Sequence, residues 1–473
     1  MPSITIIGAG PGGYIAAFEA ARRGASVTLV EKANLGGTCL NWGCIPTKTL
    51  KSSAEALEMA SRLEEFGIKA DSEEAVGFKA YMPSIIARKE RVRQVLCGGL
   101  EKACASLKIR VLRGAAELAA DRTVLVHSED GTEEIKSDKI IIATGSSILN
   151  LPSLPIDHKH IIDSNDALNL AYVPEKMVVV GGGVIGCELA FIYRAFGSSV
   201  TIVEGLDRLL PVPSVDADMS RLLQREAKKH RIKVELAKTV KSVEIIDGKV
   251  SCEIGPSPFV EGAKGKDSTI EADVVLVAIG RTPNTNGLNL AKAGVETDQR
   301  GWIKADQGMR TSAEGIYAIG DVLGPSRIML AHVASAEALC AVDNCFGAEK
   351  ELDYTVIPAG IFTSPEIGTV GMSEAEAVSK NIEIRSQTFQ FRELGKAQAM
   401  GKLPGMFKII CEKESGKILG AHIAGAHATD LIAEAALAIE KGLTAADVAH
   451  TIHAHPTLAE GLFEVCEGWL RGC

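Results

Sequence analysis

A chain of 473 residues, 46% hydrophobic and 23% charged, can bury enough apolar surface for about three globular domains. Its net charge of −9 argues against a non-specific nucleic-acid binder, and no apolar run reaches membrane-spanning length, so neither nucleic acid nor membrane is an expected partner. The opening MPSITIIGAG has no basic n-region and reads as neither signal nor transit peptide, which points to the cytoplasm. Most of the eleven cysteines are expected to be reduced there, and any disulfide to be catalytic rather than structural.

The first predicted element is a strand at Ile4 to Ile7, followed by GAGPGG, a helix over YIAAFEAARRG and a second strand over SVTLVEK. Gly8, Gly10 and Gly13 fall in GxGxxG register, and Glu31 closes the second strand. Glycines set between two strands, with an acid about twenty positions on, predict a dinucleotide site. They admit the pyrophosphate to the backbone, the helix N-terminus favours its charge, and the acid accepts from a ribose hydroxyl. GGTCLNWGCIPTK then holds Cys39 and Cys44 with four residues between them. A pair at this spacing is a metal half-site, a redox disulfide or two unrelated core thiols. Thr47 to Lys108 has helical periodicity and a single proline, Pro83.

Short strands follow, ending in DKIIIATGSS, and the dinucleotide signature then recurs. Gly181, Gly183 and Gly186 lie in KMVVVGGGVIGCELAFIYRAFGSSVTIVEG, with Glu204 at the end of the next strand. Glu204 can accept from a ribose 2′-hydroxyl but would repel a 2′-phosphate, which favours NAD over NADP. Two such units imply two dinucleotides and electron transfer between them. The strand-rich part ending in ADVVLVAIGRTPN resembles the part ending in DKIIIATGSS, so the chain carries an imperfect internal duplication. EGIYAIGDV is a further strand, capped by Gly320 and Asp321. From Gly347 the pattern changes to strands followed by the helix ATDLIAEAALAIEKG, a separate α+β domain that ends in HTIHAHPTLAEGLFEV.

In order, GAGPGG with Glu31, GTCLNWGCIPTK, ATG, the second GxGxxG, AIGRTPN, the GD pair, MLAH and HAHPTLAE resemble the flavoprotein disulfide reductases, most closely their dihydrolipoamide dehydrogenase branch. The resemblance spans the chain. It implies an α/β fold with two Rossmann-type domains, for FAD and NAD, and a C-terminal α+β dimerisation domain. The implied division is 1–147 for FAD, 148–276 for NAD, 277–346 completing the FAD site and 347–473 at the interface. It makes Cys39–Cys44 a redox disulfide beside the flavin. The residues agree with that role: Pro46 and the helical sequence after it place a helix N-terminus near Cys44, and no second cluster of metal ligands is in evidence.

Carried over by position, His455 is the base and Glu460 its orienting carboxylate, with His453 as structural support. Lys48 lies near flavin N5, where a cation favours the anionic reduced ring, and Glu188 pairs with it near the nicotinamide. Gly114, Thr144, Gly145, Ser146 and Asp321 match FAD contacts, and Met329, Leu330, Ala331 and His332 match the pyrimidine edge of the flavin. Val240 and Gly280 match positions on the NAD side. No metal is implied. The implied assembly is a homodimer in which the histidine comes from the other subunit. The implied partners are separate lipoyl-bearing carriers, the E2 of a 2-oxoacid dehydrogenase complex or a glycine-cleavage H protein. Two departures stand out. Trp42 replaces a more usual valine, and FTSPE, Phe362 to Glu366, is expected not to touch the catalytic set.

The other cysteines read differently. Cys340 and Cys345 repeat the spacing of the first pair, but in a helical run, where positions five apart point roughly 140° from each other. Cys97 and Cys104 share one helix face and are expected in the core; Cys187, Cys252 and Cys411 read as small buried hydrophobes. Cys473 is a tail thiol. A metal-ion reductase of related fold would carry a working pair there, and the lone Cys473 and Glu204 speak against it. A non-catalytic assembly subunit would have no use for intact Cys39, Cys44, His455 and Glu460.

Overall fold

The computed structural model describes residues 1–69 and 77–472, so Cys473 lies outside the described residues. The chain divides into two compact units. One gathers Met1–Leu50, Pro83–Leu149 and Gly280–Asp353; the other gathers Lys51–Met82, Asn150–Ile279 and Tyr354–Cys473.

The first unit is built on a parallel sheet. Strand β1 (Ser3–Ile7) lies between β2 (Ser26–Glu31) and the strand Lys139–Ile142, with Arg110–Arg113 and Ile316–Ala318 at the edges. Ile4, Ile6, Leu29, Ile140, Ile141 and Ile142 are all buried. Such largely apolar runs, interrupted only by Thr5 and Thr28 within the strands, are what a parallel sheet covered on both faces requires. Helix α1 (Pro11–Arg22) follows the glycine turn with proline in its first turn, where the missing N–H costs nothing. Then come α2 (Gly37–Asn41), the opening of α3 (Cys44–Ala60, whose residues from Lys51 are counted in the second unit) and α4 (Met82–Ser106), with Pro83 in the first turn of α4. Among the described residues the predicted helical stretch is thus two α-helices with a short 3-10 turn, Leu63–Phe66, between them, and residues 70–76 within it lie outside the described residues.

The second unit repeats the plan. Lys176–Val180 lies between Ser199–Val203 and Val274–Val277 in a parallel sheet, with Lys233–Glu235 and Ile161–Ile162 at the edges. In both units a three-stranded antiparallel meander precedes the strand that returns beside the first: Ala115–Ala119, Thr123–Ser128 and Gly131–Lys136 in one, Lys238–Ile246, Lys249–Pro256 and Ser268–Ala272 in the other. The duplication read from sequence is therefore topological. The second unit also holds the α+β part. Its antiparallel sheet runs Ala359–Ile361, Glu366–Gly371, Ile418–Gly425, Met406–Glu412, Ile384–Gln390 and shares a core with the helices Ala428–Glu440 and Glu460–Arg471.

Outside the Cys39–Cys44 pair, the described cysteines named above follow the sequence reading with one difference. Cys340 and Cys345 are both buried on the helix Ala331–Cys345 and do not bridge, and Cys187, Cys252 and Cys411 are fully buried. Cys104 is in the core, but Cys97 is only half-buried and bonds to the loop that precedes Cys39.

Candidate active site and dinucleotide sites

The two glycine turns share one geometry. Gly8 and Gly181 have φ of +102° and +107°, and a Cβ on either would lie 2.3 or 2.4 Å from a carbonyl oxygen, of Ala143 or Ala278. A Cβ on Gly13 or Gly186 would lie 1.8 or 1.9 Å from the oxygen of Gly8 or Gly181. These glycines close the turn and seat the helix on the strand. The middle glycines differ. A Cβ on Gly10 would meet nothing nearer than 3.9 Å, and one on Gly183 nothing within 4 Å. Both are N-caps of their helices, so the bare backbone there faces open space at a positive helix end.

The two acids are tied in the same way. Glu31 accepts from the backbone N–H of Ala9 and of Ala33, each at 2.8 Å. Glu204 accepts from Gly182 N–H at 2.5 Å and from Leu206 N–H at 2.7 Å. Each carboxylate thus braces its glycine turn, and each oxygen keeps a lone pair for a further donor.

In the first unit, Cys39 sits on α2 and Cys44 is the first residue of α3. Gly43 caps that helix through its carbonyl, which accepts from Thr47 N–H at 2.9 Å and Thr47 Oγ1 at 2.7 Å. Cys39 is half-buried and Cys44 exposed. The two thiols hydrogen-bond each other. That bond first, then burial and the charge of Cys44, holds the Cys39 pKa far above its usual value, while the nearby charge of Lys48 opposes the shift. Tyr14, on the first turn of α1, lies within electrostatic range of both thiols; burial first, then Cys39 and Cys44, raises its pKa. Sequence reasoning passed over it.

The same unit joins several residues that are far apart in sequence. Ser146 Oγ donates to Asp321 at 2.7 Å and accepts from Arg281 Nε at 2.5 Å, and Arg281 Nη2 donates to the Ser146 carbonyl at 2.7 Å. Burial lowers the Arg281 pKa, with the charges of Asp321 and Cys44 acting against it. Arg281 lies inside the AIGRTPN stretch, and only the fold shows its use. Asn284 holds the carbonyls of Thr144 and Gly145, at 2.9 and 3.0 Å. Gly114 donates to the Glu31 carbonyl at 3.1 Å, and Leu149 donates to that of Gly280 at 3.1 Å. Leu330 caps the helix Ala331–Cys345, which puts Ala331 and His332 in its first turn directly after Met329.

In the second unit, Glu188 is buried on the helix Val184–Phe196, and Val240 packs on the core of the antiparallel meander. Glu188 Oε1 accepts from the backbone N–H of Phe362 at 2.9 Å. FTSPE, expected not to touch the catalytic set, therefore does contact one expected member of it: its first residue grips the Glu188 carboxylate. A backbone N–H leaves no mark in a sequence motif, which is why the contact could not be read. His455 Nδ1 pairs with Glu460 Oε1 at 2.8 Å, and Glu460 Oε2 accepts from Thr457 N–H at 2.8 Å. A carboxylate only accepts, so Nδ1 carries a proton, and in the neutral ring the lone pair is left on Nε2. The Thr457 N–H first, then the bond to His455, lowers the Glu460 pKa. His158, Asp163 and Asp166 are the one grouping of potential metal ligands among the described residues, and both of its carboxylates are engaged in the capping box of the helix Ser164–Ala167.

Residues 2–338 match the pyridine nucleotide-disulphide oxidoreductase family, and residues 357–466 match its dimerisation domain. The chain belongs to this family, within its dihydrolipoyl dehydrogenases. It is 42% identical to the dihydrolipoyl dehydrogenase of Chlorobaculum parvum and 41% identical to that of Geobacillus stearothermophilus, each over 98% of this chain and 95% of the relative. Among solved structures, LpdA from Mycobacterium tuberculosis superposes with a TM-score of 0.89 at 26% identity, covering 99% of this chain and 100% of that one. A Cu(II) complex of the HOCl-induced flavoprotein disulfide reductase RclA from Escherichia coli gives 0.86 at 26%, covering 98% and 99%.

The enzyme is an FAD- and NAD-using oxidoreductase. Its residues fit both groups. The open approach at Gly10 and at Gly183 suits two pyrophosphates, and Thr144 Oγ1 is a buried polar atom with no hydrogen-bond partner, at a position that the family resemblance assigns to FAD. Among the described residues no helix is long and apolar enough to cross a membrane.

Proposed function

We propose that this enzyme reoxidises dihydrolipoyl groups on separate carrier proteins, through a Cys39–Cys44 disulfide, and delivers the electrons to NAD+. The observation that carries the reading is the thiol pair in mutual hydrogen-bond contact with Cys44 opening a helix. His455 Nε2 takes a proton from the incoming dithiol, because only a thiolate attacks a disulfide. Glu460 holds the imidazole in the tautomer that can do so. The thiolate displaces Cys44 from Cys39, and the departing Cys44 thiolate is favoured by the helix N-terminus and by Lys48. The second lipoyl thiol then closes the lipoyl disulfide, leaving Cys39 and Cys44 reduced.

Bound FAD and NAD supply the two-electron chemistry that carries these equivalents onward. Gly8, Gly10, Gly13, Glu31, Gly114, Thr144, Gly145, Ser146, Asp321 and the stretch Met329 to His332 would hold FAD, with Lys48 beside the ring. Gly181, Gly183, Gly186, Glu204, Val240 and Gly280 would hold NAD, with Glu188 beside the nicotinamide. Residues 1–147 and 277–346 form the FAD part, 148–276 the NAD part, and 347–473 the interface of a homodimer that works in the cytoplasm. The carrier is an E2 protein or a glycine-cleavage H protein.

The test is anaerobic titration of the purified flavoprotein, with free dihydrolipoamide and then with each reduced carrier, followed by NAD+. One equivalent of dithiol should perturb the flavin spectrum, NAD+ should reverse the change, and mass mapping of the oxidised enzyme should find Cys39 bridged to Cys44. A silent spectrum, or a Cys340–Cys345 bridge with Cys39 and Cys44 alkylated, would overturn the reading.

A further inference from the structure

The helix that carries Cys39 is short. Helix α2 spans Gly37–Asn41, too few residues to hold itself together in water. Its last residue is buried and fully engaged. The Asn41 amide nitrogen donates to the carbonyls of Leu35 and Gly37, both at 3.0 Å. Its oxygen accepts from Arg93 Nη1 at 3.1 Å. An arginine can only donate and a carbonyl can only accept, so these partners fix which way the amide faces. The Cys97 thiol, one turn along α4 from Arg93, donates to the same Leu35 carbonyl at 3.4 Å and lies 3.6 Å from Asn41 Oδ1. Arg93 is held in turn by Glu90, with Nε 2.8 and 2.9 Å from the two carboxylate oxygens. One face of α4 thus grips both the loop that enters α2 and the end of α2 itself.

We propose that Asn41, Arg93 and Cys97 are positioning residues that set the dithiol–disulfide equilibrium of Cys39 and Cys44. The proposal rests on the reading of those two cysteines as the redox pair. Opening the disulfide takes up two electrons and two protons; closing it requires the two sulfurs to find each other again. The grip on α2 keeps Cys39 facing the start of α3 and so raises the effective concentration of one thiol at the other. Loosening it should favour the open dithiol.

The test uses the flavin-loaded enzyme. Arg93→Met and Cys97→Ala should each shift the equilibrium toward the dithiol by about 3- to 10-fold, the larger figure corresponding to a potential ~30 mV more positive. Cys97→Ser, which keeps a donor for Leu35, should bring the equilibrium most of the way back to that of the unmodified enzyme. The potential is read by equilibrating each protein in graded dithiol buffers, then alkylating and mass-mapping Cys39 and Cys44. Flavin content and electron flow from NADH to an artificial one-electron acceptor, which need no disulfide, should stay at the unmodified level. An equilibrium unmoved in Arg93→Met and Cys97→Ala overturns the proposal, as does an equal shift in Cys97→Ser and Cys97→Ala. Absence of any Cys39–Cys44 couple in the unmodified enzyme overturns the redox reading itself, and the proposal with it.

Discussion

The side chain of His455 is 78% exposed, whereas that of His453, two positions earlier, is 7% exposed. His453 is bonded at both ring nitrogens, to the Thr451 carbonyl at 2.8 Å and to Glu434 at 2.9 Å. With both ring nitrogens engaged, His453 has no free edge for a dithiol, which favours His455 as the proposed base. His455→Gln should cut reduction by dihydrolipoamide by about 10²–10⁴-fold, the usual worth of a positioned base, and leave flavin reduction by NADH intact. Glu460→Gln should show the same selectivity with a smaller loss, since it orients the ring and exchanges no proton with the dithiol. Stopped-flow measurement of each half-reaction decides; equal loss of both in a folded, flavin-loaded protein would refute the assignment. The histidines, cysteines and glycines of the candidate site were proposed from motif position alone. Tyr14, Arg281 and Phe362 were not, because they act through folded proximity or through a backbone N–H that any residue could supply.

At the scale of elements, the paired βαβ units were legible from repeated glycines and apolar strands. The interior of the α+β sheet was not. Alternation in MFKIICEK would place Lys408 on a solvent face, yet it is 2% exposed. It is matched by Asp216 at 2.8 Å, Asp218 at 2.6 Å and Glu374 at 3.1 Å, partners that no local pattern announces. His422, its cross-strand neighbour, is also buried. Its Nε2 bonds the Met372 carbonyl at 3.1 Å, and its Nδ1 has no hydrogen-bond partner. Burial lowers the His422 pKa, the charge of Lys408 adds to this, and the charges of Asp216 and Glu374 and the bond to Met372 oppose it. The unfolded chain therefore binds a proton near pH 6.5 that the folded chain refuses until lower pH. Stability from this group is present above about pH 6.5 and is lost as pH falls toward the folded value. Asp216 has a lowered pKa as well, since the Lys408 bond, the Asp218 N–H and the Lys408 charge outweigh burial, and its share is lost only at more acidic pH. Melting temperature should thus fall between pH 7 and pH 5 in the native sequence and fall less in His422→Gln. Parallel curves for the two proteins would show that His422 does not titrate against folding.

At the scale of the molecule, Cys39 and His455 stand near opposite ends of the sequence and in different compact units, and His455 lies in the part that matches the family's dimerisation domain. A two-fold dimer makes each contact twice, so a histidine that serves its neighbour yields two equal sites, each built from both chains. That arrangement can be separated from a self-contained site by mixing two dead enzymes. Cys39→Ser lacks the attacked sulfur and His455→Gln lacks the base, so each homodimer should be nearly inactive with dihydrolipoamide. In a heterodimer of the two, the Cys39 of the His455→Gln chain meets the intact His455 of the other chain, and one of the two sites is whole. Random pairing makes half the dimers mixed, and half the sites in those are whole. Coexpression should therefore recover about a quarter of unmodified turnover. If each chain served itself, every site would keep one defect and no activity would return. Tagging each chain differently and isolating the mixed dimer sharpens the contrast to about half of unmodified turnover against none.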